Sequence, residues 1–180
     1  MYKGPTRKFK RKGIKRRQTR LTEYGQQLLE KQKLKKYYNL REKTLKNYFK
    51  QASRKKVDVD MRLTQLLERR LDNVVYRLGW ALTRPQAGQL VSHGHVLAGS
   101  KTVKISSYQV REGETIEIKS SKKDRHLFRD LPIKLEKYEP PSWLRFTAKD
   151  RMTAEAKSLP VKEHFTEPVD LSLVLQFYSR

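Results

Sequence analysis

Residues 63–118 decide the fold, beginning with LTQLLERRLDNVVYRLG (63–79) and continuing with TRPQAGQLVSHGH (83–95). In the first part apolar residues recur at offsets of three and four from Leu63 to Leu78, which predicts one amphipathic helix. The next residue is Gly79, and glycine is the usual left-handed residue after the last turn of a helix. The pattern therefore predicts a single helix that ends at Gly79.

A second helix is predicted directly after it, because Thr83 is a suitable N-cap, Gln86 completes a capping box and Pro85 is tolerated in the first turn. Beyond Gly94 the apolar residues change to a period of two, interrupted by two turns, which predicts three short strands. Two helices followed by a small antiparallel sheet form one module. We assign residues 61–133 to it.

The residues before this module predict a helical lobe, which we place at 21–60. Thr22 is a suitable N-cap for a helix that reaches about Tyr38, and a second helix covers about 41–54. The apolar face of the second helix consists of Leu45, Tyr48, Phe49 and Ala52. Helical periodicity favours packing of these aromatic rings between the helices over stacking on nucleic-acid bases.

The charge of the chain is that of a protein that binds a polyanion. It holds 42 Lys and Arg against 19 Asp and Glu, a formal net charge of +23 on 180 residues. This excess is larger than solubility requires, which favours nucleic acid as the partner. Residues 1–20 contain too few apolar side chains to fold alone, so we expect a basic arm that RNA orders.

Other classes of protein fit the sequence poorly. No apolar run of about 20 residues is present, nor an amphipathic helix of the kind that binds a membrane surface, so we expect no membrane partner. The amino terminus has neither a secretory nor a transit pattern, and we expect the mature protein to begin there. The chain has no cysteine and no histidine pair at ligand spacing, so we expect neither a metal nor a cofactor. No nucleophile is paired with a base, so we expect no enzymatic activity.

Several motifs resemble the small-subunit ribosomal protein four family of bacterial and organellar ribosomes. Within the module they are RLDNVVYRLG (70–79), TR (83–84), QLVSHGH (89–95) and ISSY (105–108). Outside it they are EKQKLK (30–35), YF (48–49), PSWL (141–144), LP (159–160) and FYSR (177–180). The module alone also occurs in pseudouridine synthases, tyrosyl-tRNA synthetases and a heat-shock protein, so the outer motifs make the resemblance specific. It covers about residues 22–180.

The chain departs from this family's pattern in two places. Family members usually have a longer amino-terminal region, in some with a metal-binding cysteine cluster, which this chain lacks. The family also commonly has Val-Asn-Gly at the first hairpin turn, where this chain has Ala98, Gly99 and Ser100. Gly99 can still supply the positive φ that a tight turn requires.

The resemblance implies an α+β fold, in which residues 134–180 pack on the helical lobe and the module presents a basic surface to structured RNA. Such a surface contacts mainly phosphates and 2′-hydroxyls, because the major groove of A-form RNA is closed to side chains. Residues carried over from the family to this surface are Arg84, Gln89, Ser92, His93, His95, Lys101 and Lys104.

Charge alone adds further candidates for RNA contact. For six of them we expect that no acid nearby neutralises the charge, namely Arg16, Arg17, Lys31, Lys33, Lys35 and Lys36. Arg70 and Arg77 are also candidates, with a local ion pair to Glu68 or Asp72 as the alternative.

The function that the resemblance implies is that of a primary ribosomal RNA binder, located on the small subunit in the bacterial cytoplasm or in a chloroplast or mitochondrion. Its site would be a helix junction bound early in assembly. Its neighbours would be ribosomal protein five and messenger RNA at the entry channel, with an influence on decoding accuracy. A free-standing translational regulator that binds its own messenger is the alternative, and a DNA-architectural protein is a weaker one.

Overall fold

The computed structural model of the protein describes residues 21–54, 58–123 and 126–179. The helices are α1 (Glu23–Tyr37), α2 (Glu42–Ala52), α3 (Val59–Glu68), α4 (Leu71–Arg77), α5 (Arg84–Ser92), α6 (His126–Arg129), α7 (Leu131–Lys134) and α8 (Leu171–Ser179). The strands are β1 (Val96–Ala98), β2 (Lys101–Thr102), β3 (Thr115–Ile118), β4 (Leu144–Phe146) and β5 (Thr153–Ala156). The predicted basic arm, residues 1–20, lies outside the described residues.

The strands form one antiparallel sheet in the order β2-β1-β3-β5-β4. Ala98 pairs with Lys101 on one side and with Ile116 on the other, and Ile116 pairs in turn with Ala154. The α+β fold class is confirmed, but the sheet has five strands where the sequence predicted three. The additional strands β4 and β5 are short, and the β5 sequence TAEA has weak strand propensity, so pairing with β3 determines them.

Two apolar clusters divide the molecule. In the module, the inner face of the sheet packs against α4 to α7, around buried side chains such as Leu78, Phe128 and Trp143. In the helical lobe, Leu34, Leu45 and Val174 belong to a second cluster that α1, α2, α3 and α8 enclose. Residues 134–180 therefore do not pack as one unit on the helical lobe. Their strands β4 and β5 complete the module's sheet, whereas Phe165, Val169 and helix α8 pack on the lobe.

The helix predicted from Leu63 to Leu78 is broken into α3 and α4. Arg70 is extended, with φ −59° and ψ 134°, and forms an antiparallel bridge with Gln109. On either side of it the Val110 amide donates to the Arg69 carbonyl (2.9 Å) and the Leu71 amide donates to the Tyr108 carbonyl (2.9 Å). These long-range backbone hydrogen bonds replace those of a continuous helix. As a result α3 packs in the helical lobe and α4 packs in the module. The boundary between the two cores therefore lies at Arg70, later in the chain than the predicted boundary at residue 61.

The predicted helix ends agree closely with the structure. Thr22 and Thr83 are N-caps whose hydroxyls accept from the amides of Gly25 (3.2 Å) and Gln86 (3.3 Å). The Gln86 side chain accepts from the Leu82 amide (2.8 Å), one residue before the position that a capping box uses. Gly79 has φ +71°, and a Cβ there would lie 2.8 Å from a Leu135 methyl group, so both backbone angle and space require glycine.

Candidate RNA-binding surface

The end of α5 and the hairpin after it form an exposed polar surface. Gln89, Ser92 and His93 are exposed in and after the last turn of α5. Gly94, at φ +68°, then turns the chain into β1, and a Cβ there would lie 3.2 Å from Lys104 Cε. The aliphatic part of Lys104 therefore passes directly over the Gly94 backbone. This close approach brings the helix end and the hairpin into one surface.

The tip of the hairpin is a two-residue turn. Gly99 and Ser100 have φ of 52° and 41°, and the flanking Ala98 and Lys101 pair across the turn. Positive φ at both central residues is the feature of the type I′ turn, whose twist matches that of paired strands. The chain reverses over Gly99 and Ser100, and Lys101 is exposed directly after them.

The segment after β2 continues this surface along α5. The Ser106 hydroxyl donates to the Gly88 carbonyl at 3.4 Å, which fixes the segment beside the helix. Lys101 and Lys104 are both exposed, and within the described part of the chain neither has an ion-pair partner. We name Gln89, Ser92, His93, Lys101 and Lys104 the α5–hairpin surface. It offers amide, hydroxyl and imidazole groups beside two uncompensated positive charges.

The two predicted histidines differ in position. His93 is exposed, whereas His95 is only 9% exposed and its ring lies 5.7 Å from that of Phe128 in an edge-on arrangement. The two imidazole rings are 6.1 Å apart. His95 therefore supports the surface from below, packed toward the module core, and His93 is the one that solvent reaches.

Arg70 is engaged within the molecule. Its guanidinium donates to both Asp72 carboxylate oxygens (2.9 and 2.5 Å) and to the Tyr48 hydroxyl (2.9 Å), and the residue is 6% exposed. Although burial lowers its pKa, the Asp72 carboxylate outweighs that effect and raises it. The alternative of a local pair with Asp72 is the one that the structure supports.

Arg77 contacts the fully buried carboxylate of Glu68. Its Nε and Nη2 donate to the two Glu68 oxygens at 3.0 and 2.9 Å, and Glu68 also accepts from the Asn73 amide (2.9 Å) and the Tyr38 hydroxyl. Burial lowers the pKa of Arg77, but hydrogen bonds to Glu68 raise it above its ordinary value. Burial and the same carboxylate raise the pKa of Tyr38. A buried acid with this many donors is satisfied without RNA.

Arg84 extends this cluster to the carboxyl-terminal segment. Its guanidinium lies between the rings of Tyr38 (4.4 Å) and Tyr76 (4.5 Å) and donates to Glu167 at 2.5 Å. Its Nε also donates to the Asn73 side chain at 2.8 Å, and only 7% of the residue is exposed. The arginine network consists of Tyr38, Glu68, Asn73, Arg77, Arg84 and Glu167. It joins the two lobes. Because Arg77 and Arg84 are engaged in this network and Arg70 is engaged by Asp72 and Tyr48, we remove these three arginines from the candidate surface.

Three of the lysines predicted on α1 are neutralised by carboxylates. Lys31 is 6% exposed, pairs with Glu42 at 3.0 Å and lies 4.1 Å from the centre of the Phe177 ring. Lys35 pairs with Glu42 at 2.8 Å and Lys33 with Glu30 at 2.5 Å.

The expectation that no acid neutralises these three lysines is therefore wrong, because folding brings Glu42 from the next helix to two of them. Lys36 is exposed without an ion pair among the described residues, and Arg16 and Arg17 lie outside them.

A second basic face lies on α2 and was not among the predicted site residues. Lys43, Lys46 and Lys50 are exposed on one side of the helix, opposite the buried Leu45 and Tyr48. None of the three has an ion-pair partner in the portion that the structure describes. The apolar periodicity that predicted the helix also indicated this face, since the lysines occupy its polar side.

The chain is similar to known protein families and to curated relatives. Residues 69–116 match the family described as "S4 domain". Residues 2–68 match the family described as "Ribosomal protein S4/S9 N-terminal domain". The small ribosomal subunit protein uS4 of Aquifex aeolicus is 48% identical over 91% of this chain and 79% of its own length. The chain belongs to the uS4 family. The resemblance seen in the sequence is thereby confirmed.

Further uS4 relatives are similar to the chain over comparable spans. That of Thermoanaerobacter sp. X514 is 42% identical over 89% of this chain and 77% of its own length. That of Chloroflexus aurantiacus is 41% identical over 93% and 82% respectively. The S4 domain match begins at Arg69, where α3 and α4 separate, and it contains the whole α5–hairpin surface.

Two features of other protein classes are absent from the described residues. No helix in residues 21–54, 58–123 and 126–179 is long and apolar enough to cross a bilayer. In those same ranges no three His, Asp or Glu side chains come together as a potential metal site.

Proposed function

We propose that the protein is a structural constituent of the small subunit of a bacterial ribosome, where it binds small-subunit ribosomal RNA. Its curated uS4 relatives are named as small ribosomal subunit proteins. The observation that carries the proposal is the α5–hairpin surface within the S4 domain, where Lys101 and Lys104 remain uncompensated. The proposed activity is binding and not catalysis.

The chemistry of this surface fits an RNA backbone. Lys101 and Lys104 can each neutralise a phosphate, and the Gln89 amide can donate to phosphate oxygens. The Ser92 hydroxyl donates to the Gln89 carbonyl and can accept from a 2′-hydroxyl. Since these groups lie on the exterior of regular elements, they read the shape of a folded RNA rather than base edges. The α2 basic face supplies a second group of cations on the other lobe.

The arginine network supports this function indirectly. Arg77 and Arg84 hold the helical lobe against the S4 domain through Glu68 and Glu167. Because the two lobes are held together in this way, the protein loses little conformational freedom when RNA binds to both basic faces. The arginines therefore contribute to binding by preorganisation instead of direct contact.

Finer aspects of the role follow from the family resemblance. We propose binding at a junction of RNA helices early in subunit assembly, next to ribosomal protein five and the messenger entry channel, with an influence on decoding accuracy. An organellar ribosome is the alternative location, and a translational regulator is the alternative function. Co-sedimentation at one copy per small subunit supports the ribosomal role, whereas crosslinks spread over messengers support the regulator.

The direct test is a salt titration of binding to small-subunit ribosomal RNA. Each phosphate contact contributes about 0.7 to 0.9 to the magnitude of the slope of log affinity against log salt concentration. The double variant Lys101→Ala with Lys104→Ala should therefore reduce the magnitude of this slope by about 1.4 to 1.8. The charge-matched control is Lys134→Ala with Lys137→Ala, two exposed lysines outside both basic faces. An equal loss of slope in both double variants would contradict the proposed surface.

A further inference from the structure

A hollow of about 630 Å³ lies at the edge of the sheet opposite the hairpin. Its lining includes Tyr138, Pro140, Arg145, Phe146, Lys149 and Arg151. Strand β4 forms this edge, whereas β2 of the α5–hairpin surface forms the other. The hollow is therefore separate from the surface to which ribosomal RNA binding was assigned.

Arg151 is held in position by several contacts. Its φ is +54°, in the left-handed region that disfavours residues with a Cβ. Its guanidinium donates to the Tyr138 carbonyl at 2.5 Å and lies 5.4 Å from the centre of the Phe146 ring. The Arg151 carbonyl accepts from the Trp80 indole at 2.8 Å. A strained backbone that its surroundings maintain is typical of functional positions.

Arg151 and Lys149 carry positive charges without an ion-pair partner in the part of the chain that the structure describes. Among the described residues neither side chain has a carboxylate at ion-pair distance, because the neighbouring Asp150 pairs with Lys123 at 2.9 Å. Arg145 pairs with Glu155 across the strands at 3.1 Å, and one carboxylate, Glu139, lies at the rim. The hollow thus combines two free cations with two aromatic rings.

We propose that this hollow binds one unpaired nucleotide of an RNA, with its base against Phe146 and the Arg151 guanidinium and its phosphate toward Lys149. Aromatic rings and guanidinium planes are the groups on which proteins stack unpaired bases. The hollow has room for a base and its ribose. The inference rests on the proposed function in one respect, namely that RNA is the natural partner.

Nuclear magnetic resonance of the full-length protein tests this assignment. The reporter is the Trp80 indole N–H, which donates to the Arg151 carbonyl and is identified by its absence from the Trp80→Phe spectrum. The probes are single-stranded rA4, a fully paired RNA duplex of eight base pairs, and inorganic phosphate. We expect rA4 to shift the Trp80 indole signal, and the duplex to shift amides of Gln89 to Lys104 without moving it.

The variant that removes stacking is Phe146→Leu, which keeps an apolar side chain against the module core. It should weaken rA4 binding about fivefold or more, since loss of one base–aromatic contact has that effect. The matched control is Tyr24→Leu, which removes a half-exposed aromatic ring from the helical lobe and should leave rA4 binding unchanged.

Other outcomes would overturn the inference. If phosphate alone shifts the indole as rA4 does, or if Phe146→Leu binds rA4 normally, the hollow is an anion site without base recognition. If the duplex shifts the Gln89 to Lys104 amides while rA4 leaves Trp80 unmoved, only this inference fails. If neither RNA shifts any amide, the proposed function fails as well.

Discussion

The arginine network and the α5–hairpin surface both concentrate positive charge, but only the arginine network is neutralised by the protein itself. Arg77 and Arg84 contact buried carboxylates and aromatic rings, whereas Lys101 and Lys104 extend into solvent without partners among the described residues. A planar guanidinium fits bidentate pairs and ring stacking, while a flexible ammonium suits an exposed phosphate contact. Side-chain chemistry thus separates the charges that hold the fold from those available to RNA.

Among the variants that test this comparison, Glu68→Ala should have the largest effect on the free energy of unfolding. The substitution leaves Arg77 buried without its main carboxylate, and removal of one partner from a buried pair destabilises a protein by about 3 to 5 kcal/mol. Urea denaturation would measure the free energy of unfolding. The control is Glu112→Ala, at an exposed carboxylate in a turn, which should change stability little. Similar stability in the two variants would show that the network does not hold the lobes.

A smaller loss of stability is expected from Arg84→Ala. It removes a desolvated cation from between two tyrosine rings, an interaction that contributes about 2 kcal/mol or more. Arg84→Lys should not restore it, because lysine lacks the planar group that stacks between the rings. RNA affinity, measured at a temperature where the variant remains folded, should stay within about twofold, because the Arg77–Glu68 pair still holds the two lobes together. A large loss of affinity together with unchanged stability would return Arg84 to the RNA-binding surface.

The pH dependence of the helical lobe tests whether the α1 lysines belong with the buried arginines. Burial raises the pKa of Glu42, but hydrogen bonds from Lys35, Tyr178 and Lys31 outweigh it and lower the pKa to about 2 from an ordinary value of about 4.5. A depressed carboxylate pKa contributes stability that is present above the unfolded pKa and disappears as the pH falls through the folded one.

The lobe should therefore lose stability between about pH 4.5 and about pH 2. Thermal unfolding of Glu42→Gln and of the native chain should differ at neutral pH, and the difference should shrink toward pH 2. A difference that stays constant over this range would show that the lysine contacts contribute nothing through Glu42.

The smallest expected effect on stability concerns the exposed cations. Lys101→Ala with Lys104→Ala should change the free energy of unfolding by no more than about 0.5 kcal/mol, because exposed side chains without partners contribute little. Chemical denaturation gives this value on the same protein used for the salt titration. A marked loss of stability would mean that these lysines support the hairpin, and the comparison with the arginine network would then lose its basis.

Local sequence signals predicted much of the structure. Thr22 and Thr83 cap helices as expected, and Gly79 has the positive φ that its position after a helix predicted. These features depend on residues within one turn of each other, so their neighbours in the sequence specify them. Gln89, Ser92, His93, Lys101 and Lys104 are likewise exposed, as the candidate surface requires.

Long-range contacts account for what local signals missed. The break at Arg70 depends on pairing with Gln109, and Lys31 is neutralised by Glu42 from the following helix while its cation lies over Phe177 near the carboxyl terminus. The apolar pattern over residues 63–78 gave no sign of the break, because apolar side chains are buried on both sides of it. Those before the break belong to the core of the helical lobe, and those after it belong to the core of the module.

The sequence by itself determined the fold class, the family, the helix ends and the expectation of a polyanionic partner. The helix ends depend on caps and periodicity within short segments, the family and with it the fold class follow from short motifs, and the partner follows from the overall composition. Only the tertiary structure decided which charges remain for that partner. Whether a lysine or arginine is free depends on which carboxylates and rings folding brings within a few ångströms, and residues distant in the chain supply many of those groups. The same reason explains the five-stranded sheet, whose last two strands form by pairing with an edge that the rest of the module provides.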